Sequence, residues 1–217
     1  MWQRRHRTDA EGTGKMVARR KGFRMVNSRY HIVLASNSPR RKELLSGLDI
    51  PFEVRVLDGI DESYPAELPT NEIAGYISKK KADAYQLTMG ADELIITADT
   101  IVVLGQQVMG KPHDAAEAHS MLHQLSGKTH QVITGVCLTT KERQVSFSVE
   151  TDVTFKKLTD EEIDYYVDHY RPFDKAGAYG IQEWIGHVGV TGMNGSYFNV
   201  MGLPVQRIYE ALKGFTE

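Results

Sequence analysis

The sequence predicts an α/β protein, with a mixed twisted sheet flanked by helices. Three observations predict it. At residues 30–48 a short apolar run leads through a polar turn into a helical period. Strand-like and helix-like segments then interleave along the chain. Two neighbouring β segments, near residues 131–138 and 145–155, read as an antiparallel pair, so the sheet is not purely parallel.

Each element has a local cause. Residues 30–35 form the first buried strand. Ser38-Pro39 then starts a helix, with a hydroxyl cap and a proline at the first helical position. Leu44, Leu45 and Leu48 give that helix its apolar face. Residues 52–57 alternate as a strand and run into the acidic loop 58–62. Thr70 is expected to cap a helix whose apolar arc holds Ile73, Ile77, Ala84 and Leu87. Residues 94–104 read as a deeply buried strand. Asp114 with Glu117 resembles a capping box, opening a helix that carries Ala118, Met121, Leu122 and Leu125 and stops at Gly127. After the two β segments, Thr159 and Glu162 cap a helix ending before Pro172. Residues 177–195 read as a glycine-rich loop, and Pro204 opens a last helix carrying Val205, Ile208 and Leu212.

Composition narrows the function. With 217 residues, 41% hydrophobic and 25% charged, the chain fits one globular domain, or one domain with two lobes. No apolar stretch approaches membrane-span length, so no membrane partner is expected. The single cysteine, Cys137, forms no internal disulfide and suits a reducing cytoplasm. The histidines show no ligand-like spacing for zinc. Residues 1–24 carry eight Lys/Arg against two acids, which leaves the rest of the chain acidic and argues against nucleic-acid binding. This basic head is expected to be a disordered leader or a mis-called start, with Met16 and Met25 as alternatives. Residues 25–217 then form a single domain.

Two features point to chemistry. Arg40, Arg41 and Lys42 load the first turn of a helix whose dipole and free N–H groups already favour negative charge. That is a phosphate cradle, or else a solvated basic turn. Asp99 lies inside the buried strand 94–104, where a carboxylate is costly unless paired or metal-bound. It is either satisfied structurally or set to work in a cleft. Lys111 follows a hairpin from that strand and returns toward the same place, where it fits a phosphate contact.

Ser36-Asn37-Ser38-Pro39-Arg40-Arg41, followed by Glu43-Leu44-Leu45, closely resembles the opening signature of the Maf family of nucleoside triphosphate pyrophosphatases. Ala98-Asp99-Thr100 and the run 174–182 resemble further family motifs, and the resemblance spans about residues 30–212. It implies a two-lobed fold with a central cleft, similar to that of ITPases, and hydrolysis of dTTP or UTP to monophosphate and pyrophosphate. Asp99 is then the catalytic proton acceptor or a metal ligand; a metal-bound carboxylate is a poor base, so the two roles compete. Glu62 matches the family's acidic residue near a divalent metal, magnesium or manganese, with Asp61 its rival. Lys81, in preference to Lys80, joins Ser36, Arg40, Arg41, Thr100, Lys111 and Lys175 as substrate-binding candidates. Gln182 has the donor and acceptor needed to read a pyrimidine edge. Glu183 departs from the glycine that many relatives place there, which bears on base preference. The alternatives are the 7-methyl-GTP branch of the family and a non-hydrolytic nucleotide-binding regulator of septum formation. A homodimer is compatible with either.

Overall fold

The computed structural model describes residues 29–215. The basic head 1–24 and both alternative starts lie outside them. The elements run β1 (His31–Leu34), α1 (Pro39–Ser46), β2 (Glu53–Val54), α2 (Thr70–Gln86), β3 (Glu93–Leu104), β4 (Gln107–Met109), α3 (Ala115–Leu125), β5 (Thr129–Thr139), β6 (Gln144–Phe155), α4 (Asp160–Tyr170), α5 (Trp184–Gly189), β7 (Val190–Asn194), α6 (Tyr197–Val200) and α7 (Val205–Lys213). A seven-stranded sheet carries the order β2-β1-β3-β5-β6-β7, with β4 on β3. Pairing is parallel in β2-β1-β3 and antiparallel from β3 through β7, the mixed sheet that the sequence predicts. None of the described helices is long and apolar enough to cross a membrane.

The capping signals act as read at two helices. Ser38 accepts the Arg41 N–H with Pro39 behind it, and Thr159 and Glu162 form a reciprocal capping box. At α3 the Asp114 side chain caps Glu117, while Glu117 reaches back to the His113 N–H, one residue before the cap. Four expectations need correction. Pro69, not Thr70, is the cap of α2, with no side-chain hydrogen bond there. Leu87 is 85% exposed, because α2 ends at Gln86 and buries Ala74, Ser78, Ala82 and Tyr85 beside Ile73 and Ile77. The region 177–195 is not a plain loop: it contains α5 and β7, and β7 closes the sheet against β6. The strand expected at 52–57 also shrinks to Glu53–Val54. Beyond it Tyr85 Oη donates to Arg55 O and accepts from Leu57 N, so a side chain replaces the ladder.

Helix α2 lies directly on the sheet. A Cβ at Gly135 of β5 would sit 2.3 Å from the backbone of Ala74 and Gly75, so only glycine admits this approach. Two hydrophobic clusters lie side by side on the opposite face of the sheet, where alternate residues of β3 and β5 point. One gathers Leu34, Leu45, Ile96 and Ile208; the other gathers Leu122, Phe155, Tyr166 and Ile185. Met201 packs against both and lines the cleft between them.

Candidate active site

Strand β3 creates the opening. Its first half pairs with β1 as far as Leu34↔Ile96, and its last residues pair with β4 from Val102 onward. Between these, residues 98–101 have no strand on that side. The gap falls just beyond the C-terminal end of β1, where parallel α/β sheets place ligands. Two adjoining chambers, of about 400 Å3 and about 440 Å3, meet there. Ser38, Arg40, Arg41, Glu62, Lys81, Lys111 and Asp174 line both.

The chambers differ in chemistry. One is walled by Ile77, Ile101, Val108, Val132 and Tyr179, with Gln182 among them. The amide oxygen of Gln182 is buried and has no hydrogen-bond partner. The other chamber is formed by residues 35–41 at the N-terminus of α1 and by residues 56–60 before the acidic loop reaches Glu62. Apolar side chains around one buried amide suit a base; a helix N-terminus with cations suits phosphates.

Asp99 sits on the wall of the first chamber, opposite Gly135 in the β3–β5 register. The approach that Gly135 allows brings Lys81, one turn beyond Ile77, onto Asp99: Lys81 Nζ donates to Asp99 Oδ1 at 2.8 Å and stands 3.0 Å from Glu62 Oε1. Two carboxylates therefore converge on one cation. Asp61 turns away, binding Lys80 at 2.6 Å and the Ser63 N–H at 2.9 Å. Those hydrogen bonds, from Lys80 first, hold its carboxyl far below the usual range.

The two arginines of α1 do different things. Arg41 donates through Nε to Gly202 O at 2.8 Å, and through its terminal nitrogens to Ala98 O at 2.7 Å and Thr100 Oγ1 at 3.0 Å. It thus takes the carbonyl that the missing strand leaves open. Burial draws its pKa down, against the pull of the Asp99 carboxylate. Thr100 is held inward as well, 2.9 Å from Thr134 Oγ1. Arg40 instead faces Asp174 at 2.7 Å. Ser36 Oγ accepts the Ser38 N–H at 3.2 Å, shaping the turn before α1. Lys111, as its hairpin position suggests, lines both chambers.

Sequence reasoning missed Asp174. It bridges Arg40 and Lys175 Nζ, the latter at 2.7 Å. Burial alone would raise its carboxyl, but hydrogen bonds from Lys175 and then Arg40 hold it at about 2. Its position beside Lys175 in the run 174–182 was the available signal. The Gly202 carbonyl was also missed, and no local signal marks it.

Lys81 and Glu62 thus line both chambers and Asp99 the first, with apolar side chains and Gln182 at one end, the α1 N-terminus at the other, and Arg40, Arg41 and Lys111 bordering both. The sequence model of the Maf-like proteins matches residues 31–215. The chain is 63% identical to the dTTP/UTP pyrophosphatase of Parabacteroides distasonis, over 86% of this chain and 97% of that one. It is 66% identical to the dTTP/UTP pyrophosphatase of Phocaeicola vulgatus, over 85% and 96% respectively. A HAM1 protein from Coxiella burnetii aligns with 85% of this chain and 99% of its own at 14% identity and a TM-score of 0.43, too slight a likeness to bear on fold or function. The chain belongs to the family of Maf-like proteins.

Proposed function

We propose that this protein hydrolyses dTTP and UTP between the α and β phosphates, releasing the nucleoside monophosphate and pyrophosphate. The observation that carries the reading is the junction of the two chambers at Lys81 and Glu62, with Asp99 bound to Lys81 beside it. A base held beside Gln182 puts its triphosphate across that junction, toward Arg40, Lys111 and the α1 N-terminus. Relatives at 63% and 66% identity bear the name dTTP/UTP pyrophosphatase, which supports the same substrates here.

In this reading Asp99 takes the proton of the water that attacks the α phosphorus, and Lys81 holds Asp99 in place through its hydrogen bond. Arg40, Lys111 and Lys175 bind the triphosphate and neutralise the charge that collects on the departing pyrophosphate. Arg41 and Thr100 hold the open stretch of β3 so that Asp99 keeps its place. Ser36 fixes the cradle turn. Glu62 suits a divalent cation, since its hard carboxylate oxygen already faces a positive charge, Lys81 Nζ at 3.0 Å, and magnesium is commonly held by one or two carboxylates plus substrate phosphates, which leaves Asp99 to act as the base. Magnesium or manganese bound there supplies Lewis-acid polarisation of phosphate oxygens.

The proposal places the activity in a single domain of residues 25–217, acting in the cytoplasm, without the help of residues 1–24. It includes a homodimer, supported by the exposed Met193, Tyr197 and Phe198 at β7 and α6. Among the described residues β7 pairs only with β6. Mass in solution reads that part. Pyrophosphate release from UTP, dTTP, CTP and purine triphosphates with magnesium tests the activity. Preferred turnover of UTP and dTTP is expected, and binding without pyrophosphate release would replace hydrolysis by a regulatory role.

A further inference from the structure

Gln182 keeps a buried amide oxygen without a partner, a costly condition that persists only where the surroundings enforce it. The enforcement is visible. Tyr166, buried on α4, donates its hydroxyl to the Glu183 carboxylate and accepts the Gly180 N–H at 3.0 Å. The Glu183 N–H returns to Gly180 O at 3.0 Å. The turn 180–183 is therefore closed on itself and riveted to α4. It is also tight: a Cβ on Gly180 would lie 2.9 Å from both Gln182 Nε2 and the Glu183 carboxyl carbon. The other Glu183 oxygen lies 3.1 Å from Lys175 Nζ, which reaches Asp174, which holds Arg40. A chain of alternating charges thus runs from the base chamber to the phosphate chamber.

We infer that Glu183 is a positioning and specificity-determining residue. Its carboxylate, clamped by Tyr166 and Lys175, presents the Gln182 amide to the base and ties that presentation to Arg40 at the phosphate end. The inference rests on the proposed hydrolysis of uracil and thymine nucleotides. Glu183 touches neither base nor phosphate. It removes the freedom of the turn in advance, so the base meets an amide already aimed. A side chain at 183 without a carboxylate frees the turn, and Gln182 then relaxes toward other partners. Lys175 also loses one of its two anions. The negative charge at 183 is spent inside this network, so it does not attract amine-bearing bases.

The test is kcat/KM for UTP and CTP with Glu183→Ala and Tyr166→Phe, beside the wild type. For Glu183→Ala the value for UTP is expected to fall about tenfold while that for CTP changes less than about threefold. Tyr166→Phe shifts the ratio the same way by a smaller factor, and Glu183→Gln, which still accepts from Tyr166, restores part of the preference. Equal losses on both substrates would make the role of Glu183 merely structural and overturn the inference, as would an unchanged ratio. If Glu183→Ala does not fold, Tyr166→Phe decides alone by the same ratio. A wild type without any preference for UTP over CTP would instead refute the proposed base reading itself.

Discussion

Lys81 donates to Asp99 at 2.8 Å, at the point where Asp99 faces Gly135 across the β3–β5 ladder. The contact depends on the bare backbone of Gly135, because the same helix that carries Lys81 rests there at Ala74 and Gly75. One glycine on β5 therefore sets the distance between a cation on α2 and the carboxylate proposed to act as the base.

Gly135→Ala is accordingly expected to lift α2 from the sheet. Its methyl meets backbone at 2.3 Å, so no side-chain rotation relieves the clash. Stability should fall by about 2 kcal/mol from overpacking. Turnover should fall about a hundredfold, as expected when a catalytic contact is displaced by about an ångström. Thermal unfolding and UTP turnover measured on the same sample check both.

The adjacent arginines separate binding from architecture. Arg40 has an exposed partner in Asp174, so Arg40→Ala should raise KM for UTP about tenfold with little change in Tm. Arg41→Ala strands the carbonyls of Ala98 and Gly202, and should cost about 3 kcal/mol of stability. Lysine does not rescue it, since one ammonium cannot span three acceptors set around a planar fork. Denaturant melts and steady-state kinetics of the two variants test the division.

Much of this was legible in the chain. Ser38-Pro39 and the Thr159/Glu162 box announce their helices because caps act within one turn. Strand 94–104 was readable because every side chain from Leu94 to Ala98 is buried, so apolar residues dominate the run around one acid. The region 177–195 was not. Helix α5 has six residues with glycines inside it, and β7 is an edge strand of mixed polarity that exists through its pairing with β6. Local period carries no trace of that partner. The α2 arc was extended to Leu87 because apolar spacing does not reveal where a helix leaves the sheet. The site residues divide in the same way. Motif-borne Asp99, Lys81 and Arg40 stood out, whereas the bonds from Arg41 to Gly202, 161 residues away, and from Tyr166 to Glu183 are products of tertiary folding.

Base reading by Gln182 predicts a selective defect. Its amide can match the carbonyl and imide N–H of uracil or thymine, while cytosine opposes acceptor to acceptor and donor to donor. Gln182→Ala should narrow the preference for UTP over CTP about tenfold, more than it slows UTP at saturation. Equal slowing of all pyrimidine triphosphates would mean that Gln182 positions phosphate or water.

His130 makes stability depend on pH. It is buried against Phe155 and Tyr179, with Nε2 2.7 Å from Tyr179 Oη and Nδ1 unpartnered. Burial lowers its pKa from 6.5 to about 4, so the fold favours the neutral ring. The stability this contributes is complete above pH 6.5 and drains away as pH falls toward 4, a change of about 3 kcal/mol at most. The unfolding free energy of wild type minus that of His130→Gln, followed from pH 7.5 to about 4.5, should decline over this window. A flat difference would show that the ring protonates without cost.

In the proposed function Asp99 performs hydrolysis of a pyrimidine nucleoside triphosphate in this cleft. Pyrophosphate release from UTP with magnesium, compared between wild type and Asp99→Asn, tests it most directly. The amide keeps the shape of the carboxylate but is neither a base nor an anionic ligand. Release should fall at least about a hundredfold while Tm stays close to that of the wild type. An Asp99→Asn enzyme with near-native release would remove Asp99 from the reaction and move the chemistry to Glu62 or another group.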